Sequence, residues 1–118
     1  MPILTVYGIS EKTTQERLSS FMLGLRQAVS SIKELEIKAD QVSCFLPCDR
    51  FTAFRGEDIV IFVDSLLKKP RRTPEVRDTL AQKLVQTTRT FFPDATLIEC
   101  FVRSVSRSEI GFSSTTGE

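Results

Sequence analysis

The side chains that could carry out chemistry in this chain are limited first by an absence, because none of its 118 residues is histidine. Ser-His-Asp and Cys-His nucleophile activation are therefore excluded, as is every histidine-ligated metal site. Cys44, Cys48 and Cys100 are too few for an all-cysteine tetrahedral zinc site and lack CxxC spacing. Glycine-rich phosphate-binding motifs are also missing. Carboxylates, amines, hydroxyls and thiols remain, and no cofactor is predicted.

The amine at the start of the chain is the sharpest candidate for a general base. An α-amino group has a pKa of about 7.7–8.0, closer to neutrality than that of lysine. In an apolar setting beside cations its charged form is disfavoured, so the neutral amine can accept a proton. Pro2 carries this amine only if Met1 is removed, since an intact Met1–Pro2 bond makes the Pro2 nitrogen a non-basic amide. The structural alternative is that Pro2 only begins an edge strand.

The elements that must position these groups are duplicated along the chain. Ile3–Tyr7 aligns with Ile59–Val63, and Val42–Leu46 aligns with Ile98–Val102, both 56 positions apart. A fixed period dictates architecture, and this one has the length of a βαβ unit. The predicted organisation is a single domain, 1–118, with pseudo-repeats 2–56 and 57–110 and a polar tail, 104–118.

Each repeat contains one amphipathic helix between two strands. Thr13-Thr14-Gln15-Glu16 has the pattern of a capping box with Thr13 at the N-cap of the first helix. Thr73 is the predicted N-cap of the second helix, with Pro74 in its first turn. The inner stripes are predicted to be Leu18, Phe21, Met22, Leu25, Val29, Ile32 and Leu35 in the first helix, and Val76, Leu80, Leu84, Thr87 and Phe91 in the second.

Short apolar runs bounded by turn residues predict the strands. They lie at 2–7, 42–46, 58–64 and 96–103, with a brief edge strand at 51–54. The order β-α-β-β-α-β with right-handed crossovers predicts an α+β (α/β) fold of tandem βαβ units, a four-stranded mixed sheet with two helices on one face. Cys44 and Cys100 fall on the helix-facing side, so we predict that they are small buried hydrophobes rather than reactive thiols.

The other face of the predicted sheet is also apolar. It carries Phe45 and Phe101, and strand 58–64 is apolar on both sides. Strands of this kind are typical of sheets that are covered on both faces. Because the sequence has no third helix for this purpose, we expect another subunit to cover the second face.

A two-fold relation between the repeats would make the first and third strands antiparallel and bring several polar segments to one rim of the sheet. Pro2, the 37–40 connection, the 64–72 loop and Arg103 would meet there. Arginines at this rim could hold a substrate carboxylate bidentately and stabilise a developing enolate. The candidate groups beside Pro2 are Asp64 and the cations Lys38, Lys69, Arg71, Arg72 and Arg103.

The opening Met1-Pro2-Ile3-Leu4-Thr5-Val6-Tyr7-Gly8, together with the first helix and the strand–loop–helix 59–92, resembles the tautomerase superfamily, and most of all a bacterial tautomerase-like branch. Members of about this length, such as macrophage migration inhibitory factor and 5-carboxymethyl-2-hydroxymuconate isomerase, are duplicated βαβ trimers with an N-terminal proline base. The resemblance implies a keto–enol isomerase that moves a proton α to the carbonyl of a small carboxylated substrate, with Pro2 as the catalytic base, in a homotrimer. The substrate-binding residues are then expected to be Lys38, Asp64, Arg71 and Arg103.

Two other hypotheses stay open from the sequence. One is a non-catalytic oligomeric tautomerase-like protein, and the other is a ferredoxin-like binding module, which shares the element order. With 16 basic and 15 acidic residues, the charge balance favours neither a nucleic-acid nor a membrane partner. The basic run 68–72 is more typical of a solvated loop. Without a signal peptide or an apolar span, and with unpaired cysteines, the expected location is the cytoplasm.

Overall fold

Four strands and two long helices form the fold in a computed structural model that describes residues 2–48 and 58–117. The elements are β1 (Ile3–Tyr7), α1 (Gln15–Ser30), β2 (Ser43–Phe45), β3 (Asp58–Leu67), α2 (Pro74–Phe91) and β4 (Leu97–Val105), with short 3-10 segments at Lys33–Leu35, Ala39–Gln41 and Arg107–Glu109. Among the helices of these described residues, none is long and apolar enough to cross a membrane.

The sheet joins the two βαβ units through their first strands. Its order is β2-β1-β3-β4, with β1 parallel to β2, β3 parallel to β4, and β1 antiparallel to β3. The predicted fold class is therefore confirmed. A ferredoxin-like sheet is excluded, because there the βαβ units are split by an intervening strand, whereas here each pair of parallel strands is directly hydrogen-bonded.

The beginning and the end of α1 differ from the prediction. Thr14 is the N-cap, and its Oγ1 accepts a hydrogen bond from the Arg17 amide at 3.2 Å. Thr13 was the wrong choice, because the first intrahelical hydrogen bond runs from the Leu18 amide to the Thr14 carbonyl, while the Thr13 amide donates to the Ser10 carbonyl in the preceding turn. At the other end, Ile32 and Leu35 are buried as predicted but lie beyond the helix. A 3-10 turn keeps an apolar spacing similar to that of a helix, so the predicted apolar stripe extended beyond the end of α1.

The second helix begins as predicted and packs on the first. Thr73 Oγ1 accepts from the Val76 amide at 3.2 Å, and Pro74 is the first helical residue. Near the other end Thr88 is fully buried and Thr87 is only partly so, which corrects the predicted stripe by one position. The Thr88 hydroxyl donates to the Leu84 carbonyl at 2.7 Å, so its burial leaves no unpaired polar group.

The core lies between the helices and one face of the sheet. Cys44 and Cys100 pack against it on the predicted side of the sheet, but both are partly rather than fully buried. Burial raises the pKa of the Cys100 thiol to about 12, and it also raises the pKa of Cys44 despite the opposing charge of Arg26. A raised pKa keeps both thiols protonated near neutrality and therefore poorly nucleophilic. The fully buried strand residues include Leu4, Val6, Ile61 and Val63.

Strand β3 is longer than predicted and contains a β-bulge. Val63 pairs with Val102 and Leu66 with Ser104, so Asp64 and Ser65 together oppose Arg103. The extra residue restores the core-facing direction at Leu66, which is 1% exposed. The strands 42–46 and 96–103 shift by a residue or two at their ends, while the predicted edge strand 51–54 lies outside the described residues.

The second sheet face is open and aromatic. Phe45, Phe101 and Tyr7 are 56%, 52% and 41% exposed. Phe62 stacks on Phe101 with ring centroids 5.6 Å apart, and Tyr7 meets Phe62 edge-on at 6.0 Å. No helix in 2–48 or 58–117 packs over this face, which we call the open face.

Candidate active site

Pro2 is buried in the wall of a small cavity at one end of the sheet. Its carbonyl accepts a hydrogen bond from the Ser43 amide at 3.2 Å, which ties the start of β1 to β2. The cavity has a volume of about 160 Å³, and we call it the Pro2 cavity. Its lining consists of Pro2, Glu36, Ile37, Gln41, Ser65, Leu66, Lys69 and Arg72.

The sheet topology explains why these residues meet. In the antiparallel β1–β3 pair, Ile3 lies opposite Asp64, so the beginning of β1 and the bulged end of β3 share one edge. The 3-10 segments that precede β2 close the same edge, because β2 runs parallel to β1. Three of the segments expected at a common rim thus contribute to the cavity: Pro2, the 37–40 connection through Ile37, and the 64–72 loop.

Two cations line the Pro2 cavity, and they differ in how they are held. Arg72 is 7% exposed, and its guanidinium donates to the carbonyls of Leu35 and Leu67. Burial lowers the pKa of this guanidinium, and the charge of Glu36 opposes that shift. Lys69 is exposed, and within 2–48 and 58–117 no ion pair or hydrogen bond of its ammonium group is observed. Lys69 is therefore the more adaptable of the two cations.

None of the four predicted substrate-binding residues lines the Pro2 cavity. Arg71 is exposed and forms an ion pair at 3.0 Å with Glu36, which does line the cavity. Arg103 Nε lies 3.7 Å from Asp64 Oδ1 at the bulge. Lys38 is exposed, and its backbone amide donates to Gln41 Oε1 at 2.9 Å.

The cavity wall contains unusual backbone geometry. Glu36 and Ser65 have φ values of 57° and 62°, and they are the only non-glycine residues of the described chain with positive φ. Both line the Pro2 cavity. Left-handed conformations are disfavoured for residues with a side chain, and such strained positions cluster at functional sites. This observation marks the Pro2 cavity independently of Pro2 itself.

Sequence reasoning missed Glu36 and Gln41, whereas it placed Ser65 at the rim as part of the 64–72 loop. Gln41 had a weak signal, since its position after Lys38-Ala39-Asp40 suits a side chain that caps a short turn. Glu36 had no signal, and the left-handed conformation at Ser65 was not indicated either, because neither position is glycine or asparagine. No cluster of three or more metal-ligating side chains occurs among the described residues. The cavity offers a secondary amine if the chain begins at Pro2, cations, hydrogen-bonding groups and the apolar side chains of Ile37 and Leu66.

Comparison with known proteins gives a fold and no closer relation. No protein-family model and no curated protein matches the chain. Solved structures do. The R7 fused 4-OT wild-type asymmetric trimer has a TM-score of 0.73 and 17% identity, over 97% of this chain and 94% of that one. Pt0534 inactivated by 2-oxo-3-pentynoate has a TM-score of 0.69 and 15% identity, over 95% and 91%.

Another similar structure is N1, a member of the cis-3-chloroacrylic acid dehalogenase family. It has a TM-score of 0.68 and 13% identity, over 93% of this chain and 79% of that one. Likeness of this extent across nearly the whole chain shows a tautomerase-like fold, as the sequence resemblance implied. At these identities it shows the fold alone.

Proposed function

We propose that this chain is a tautomerase-like isomerase that moves a proton α to the carbonyl of a small carboxylated substrate, with the Pro2 amine as general base. The observation that carries the proposal is the burial of Pro2 in a small polar cavity lined by Lys69 and Arg72. Nearby positive charge and an apolar wall both disfavour the protonated amine. A neutral amine near physiological pH is what proton abstraction requires.

The proposed reaction needs no group that the chain lacks. The neutral Pro2 nitrogen takes a proton from the carbon next to the substrate carbonyl, and the electron pair moves onto the carbonyl oxygen as an enolate. Lys69 stabilises this oxygen, because it is the cavity cation whose ammonium group is uncommitted in the described chain. The protonated Pro2 then returns the proton to another carbon of the same substrate, so the reaction is an isomerisation.

The size of the cavity limits the substrate. Pockets for drug-sized ligands have volumes of roughly 300–1,000 Å³, and the Pro2 cavity has about 160 Å³. We therefore propose a short-chain acid. Lys38, Asp64 and Arg71 each adjoin a lining residue in sequence, and Arg103 pairs with Asp64. We propose that these four act at the rim, attracting and orienting the carboxylate.

We also propose that the protein works as a homotrimer whose subunits cover one another's open faces. The open face exposes about half of the Phe45 and Phe101 side chains, and a surface of this kind marks an interface. Two of the similar structures, the R7 and Q0 fused 4-OT proteins, are described as an asymmetric and a symmetric trimer.

The decisive experiment compares Pro2→Ala with Pro93→Ala, a matched proline substitution in the exposed turn after α2. Intact-mass analysis first identifies the preparation in which Pro2 is the terminal residue. In ketonisation of a 2-hydroxydienoate the same amine would take the hydroxyl proton of the enol, giving the enolate, and return a proton to carbon. We expect Pro2→Ala to lower kcat/KM for this reaction by about 10²-fold or more, with an unchanged circular dichroism spectrum. Pro93→Ala should react like wild type. Equal rates for Pro2→Ala and wild type would remove Pro2 from the mechanism, and a retained Met1 would support the non-catalytic alternative.

A further inference from the structure

We propose that Arg72 is a positioning residue that holds both strained walls of the Pro2 cavity in place through its buried guanidinium group. This role is separate from contact with the substrate. It concerns the shape of the cavity, and it goes beyond the proposed chemistry because it applies whether or not Pro2 is basic.

The hydrogen bonds of Arg72 reach the two walls at once. Its Nε and Nη2 atoms donate to the Leu35 carbonyl at 3.1 and 2.6 Å. Its Nη1 atom donates to the Leu67 carbonyl at 2.9 Å. Leu35 immediately precedes the left-handed Glu36, and Leu67 follows the left-handed Ser65 by two residues. One side chain therefore links the two segments that contain the only left-handed non-glycine residues in the described chain.

Strained backbone persists only where its surroundings fix it, and Arg72 meets that requirement. Its side chain is almost fully buried, so water competes little for the three hydrogen bonds. Its own backbone is held as well, because Arg77 Nη1 donates to the Arg72 carbonyl at 2.8 Å and the Arg72 amide donates to the Lys69 carbonyl at 2.9 Å. We call this set of hydrogen bonds the Arg72 clamp. It connects the end of β3, the turn before β2 and the first turns of α2.

Lysine cannot reproduce this arrangement. The guanidinium is a planar fork whose donors point in fixed directions, whereas an ammonium group is a single point. Arg72→Lys keeps the positive charge near the cavity but removes the forked hydrogen bonds. Any effect of this substitution therefore comes from the lost hydrogen-bond geometry and not from a lost charge. The matched control is Arg89→Lys, because Arg89 also donates to two backbone carbonyls, those of Pro93 and Ala95, but in the turn after α2.

The test combines Arg72→Lys with glycine substitutions at the strained positions. Glycine adopts left-handed conformations without the steric penalty of a Cβ atom. If Arg72 holds the walls, Glu36→Gly and Ser65→Gly should together restore what Arg72→Lys removes. The backbone angles at positions 36 and 65 are read from NMR scalar couplings and chemical shifts, and amide exchange is measured at residue 36, whose amide donates to Lys33. Neither readout requires turnover.

In Arg72→Lys we expect position 36 to exchange about 10-fold faster or more and both φ values to leave the left-handed region. Adding the two glycines should return exchange and φ to wild-type values, while Arg89→Lys changes neither. The proposal would be overturned if amide exchange and both φ values were unchanged in Arg72→Lys, or if the two glycine substitutions did not reverse the changes. If Arg72→Lys alone does not fold, folding of the triple variant supports the clamp and its failure to fold contradicts it. Loss of turnover in Pro2→Ala tests the isomerase proposal separately.

Discussion

The two faces of the sheet are built from the same strands and have opposite surroundings. On the face beneath the helices, Leu4 and Ile61 are 0% exposed and Val63 is 1% exposed. Their alternate neighbours form the open face, where Phe45 and Phe101 are more than half exposed. Strand β3 is apolar on both sides, and the position of α1 and α2 decides which of its two sides is covered. Alternation along a strand therefore identifies two faces but does not identify which one the chain covers by itself.

The two faces of the sheet also differ in their polar groups. The helix-covered face contains thiols that behave as hydrophobes, whereas the edge of the open face carries the Asp64–Arg103 ion pair beside the bulge. An exposed pair of this kind contributes little to stability in water. It would count for more if another subunit excluded water from the open face, because Coulomb interactions strengthen as the dielectric constant falls.

The largest expected effect is the loss of stability when a residue on the helix-covered face is truncated, compared with a truncation on the open face. Ile61→Ala leaves a cavity in a fully buried position and should lower the free energy of unfolding by about 2–5 kcal/mol. Phe101→Ala should cost about 1 kcal/mol or less in dilute protein, because its ring is 52% exposed. Urea denaturation over a dilution series checks both values. The loss of stability caused by Phe101→Ala should grow with protein concentration as subunits associate. If Ile61→Ala and Phe101→Ala lowered stability equally at every concentration, the two faces would not differ as described.

A charge on the open face should prevent assembly and leave the fold intact. We expect Phe101→Glu to change the mass measured by light scattering from that of the proposed trimer to that of a monomer, because an interface would bury the carboxylate unpaired. Gln82→Glu introduces the same charge on the exposed side of α2 and should remain a trimer. A monomeric wild-type protein across micromolar concentrations would show that the open face is not an interface between copies.

The partly buried thiol of Cys100 on the helix-covered face should also make stability depend on pH in a way that the exposed thiol of Cys48, which follows β2, does not. Cys100 has an ordinary pKa of 9.0, which burial raises to about 12. Between pH 9 and 12 the unfolded chain releases this proton and the folded chain keeps it, so the free energy of unfolding falls as pH rises. Cys100→Ala should flatten this part of the stability profile. Cys48→Ala should not, because Cys48 is exposed, and an identical slope in both variants would contradict the assignment to Cys100.

The sequence predicted the fold well where local chemistry and pattern agree. Thr73 before Pro74 is an unambiguous helix start, and the paired apolar runs predicted the order and direction of the strands. The start of α1 was less well defined, because Thr13 and Thr14 are both capping residues and only the competing turn at Ser10 decides between them. A single residue of error at a helix end has little effect on the architecture.

The candidate site was harder to predict because it depends on the bulge. Without an extra residue at Ser65, strict alternation would continue past Asp64 and would not return Leu66 to the core. No glycine announces the left-handed conformation there. The pattern consequently predicted the segments near the cavity, Pro2 and the 64–72 loop among them, but could not distinguish lining residues such as Ser65 and Arg72 from rim residues such as Asp64 and Arg71.

The antiparallel pairing of β1 with β3 has a consequence for synthesis on the ribosome. In the described part of the first half, residues 2–48, β1 is flanked only by the three-residue strand β2, and so small a sheet is not stable alone. Its missing neighbour begins at Asp58. We therefore expect the nascent first half to wait, unfolded, until the second half has been translated, and the two units to acquire their structure in one cooperative event.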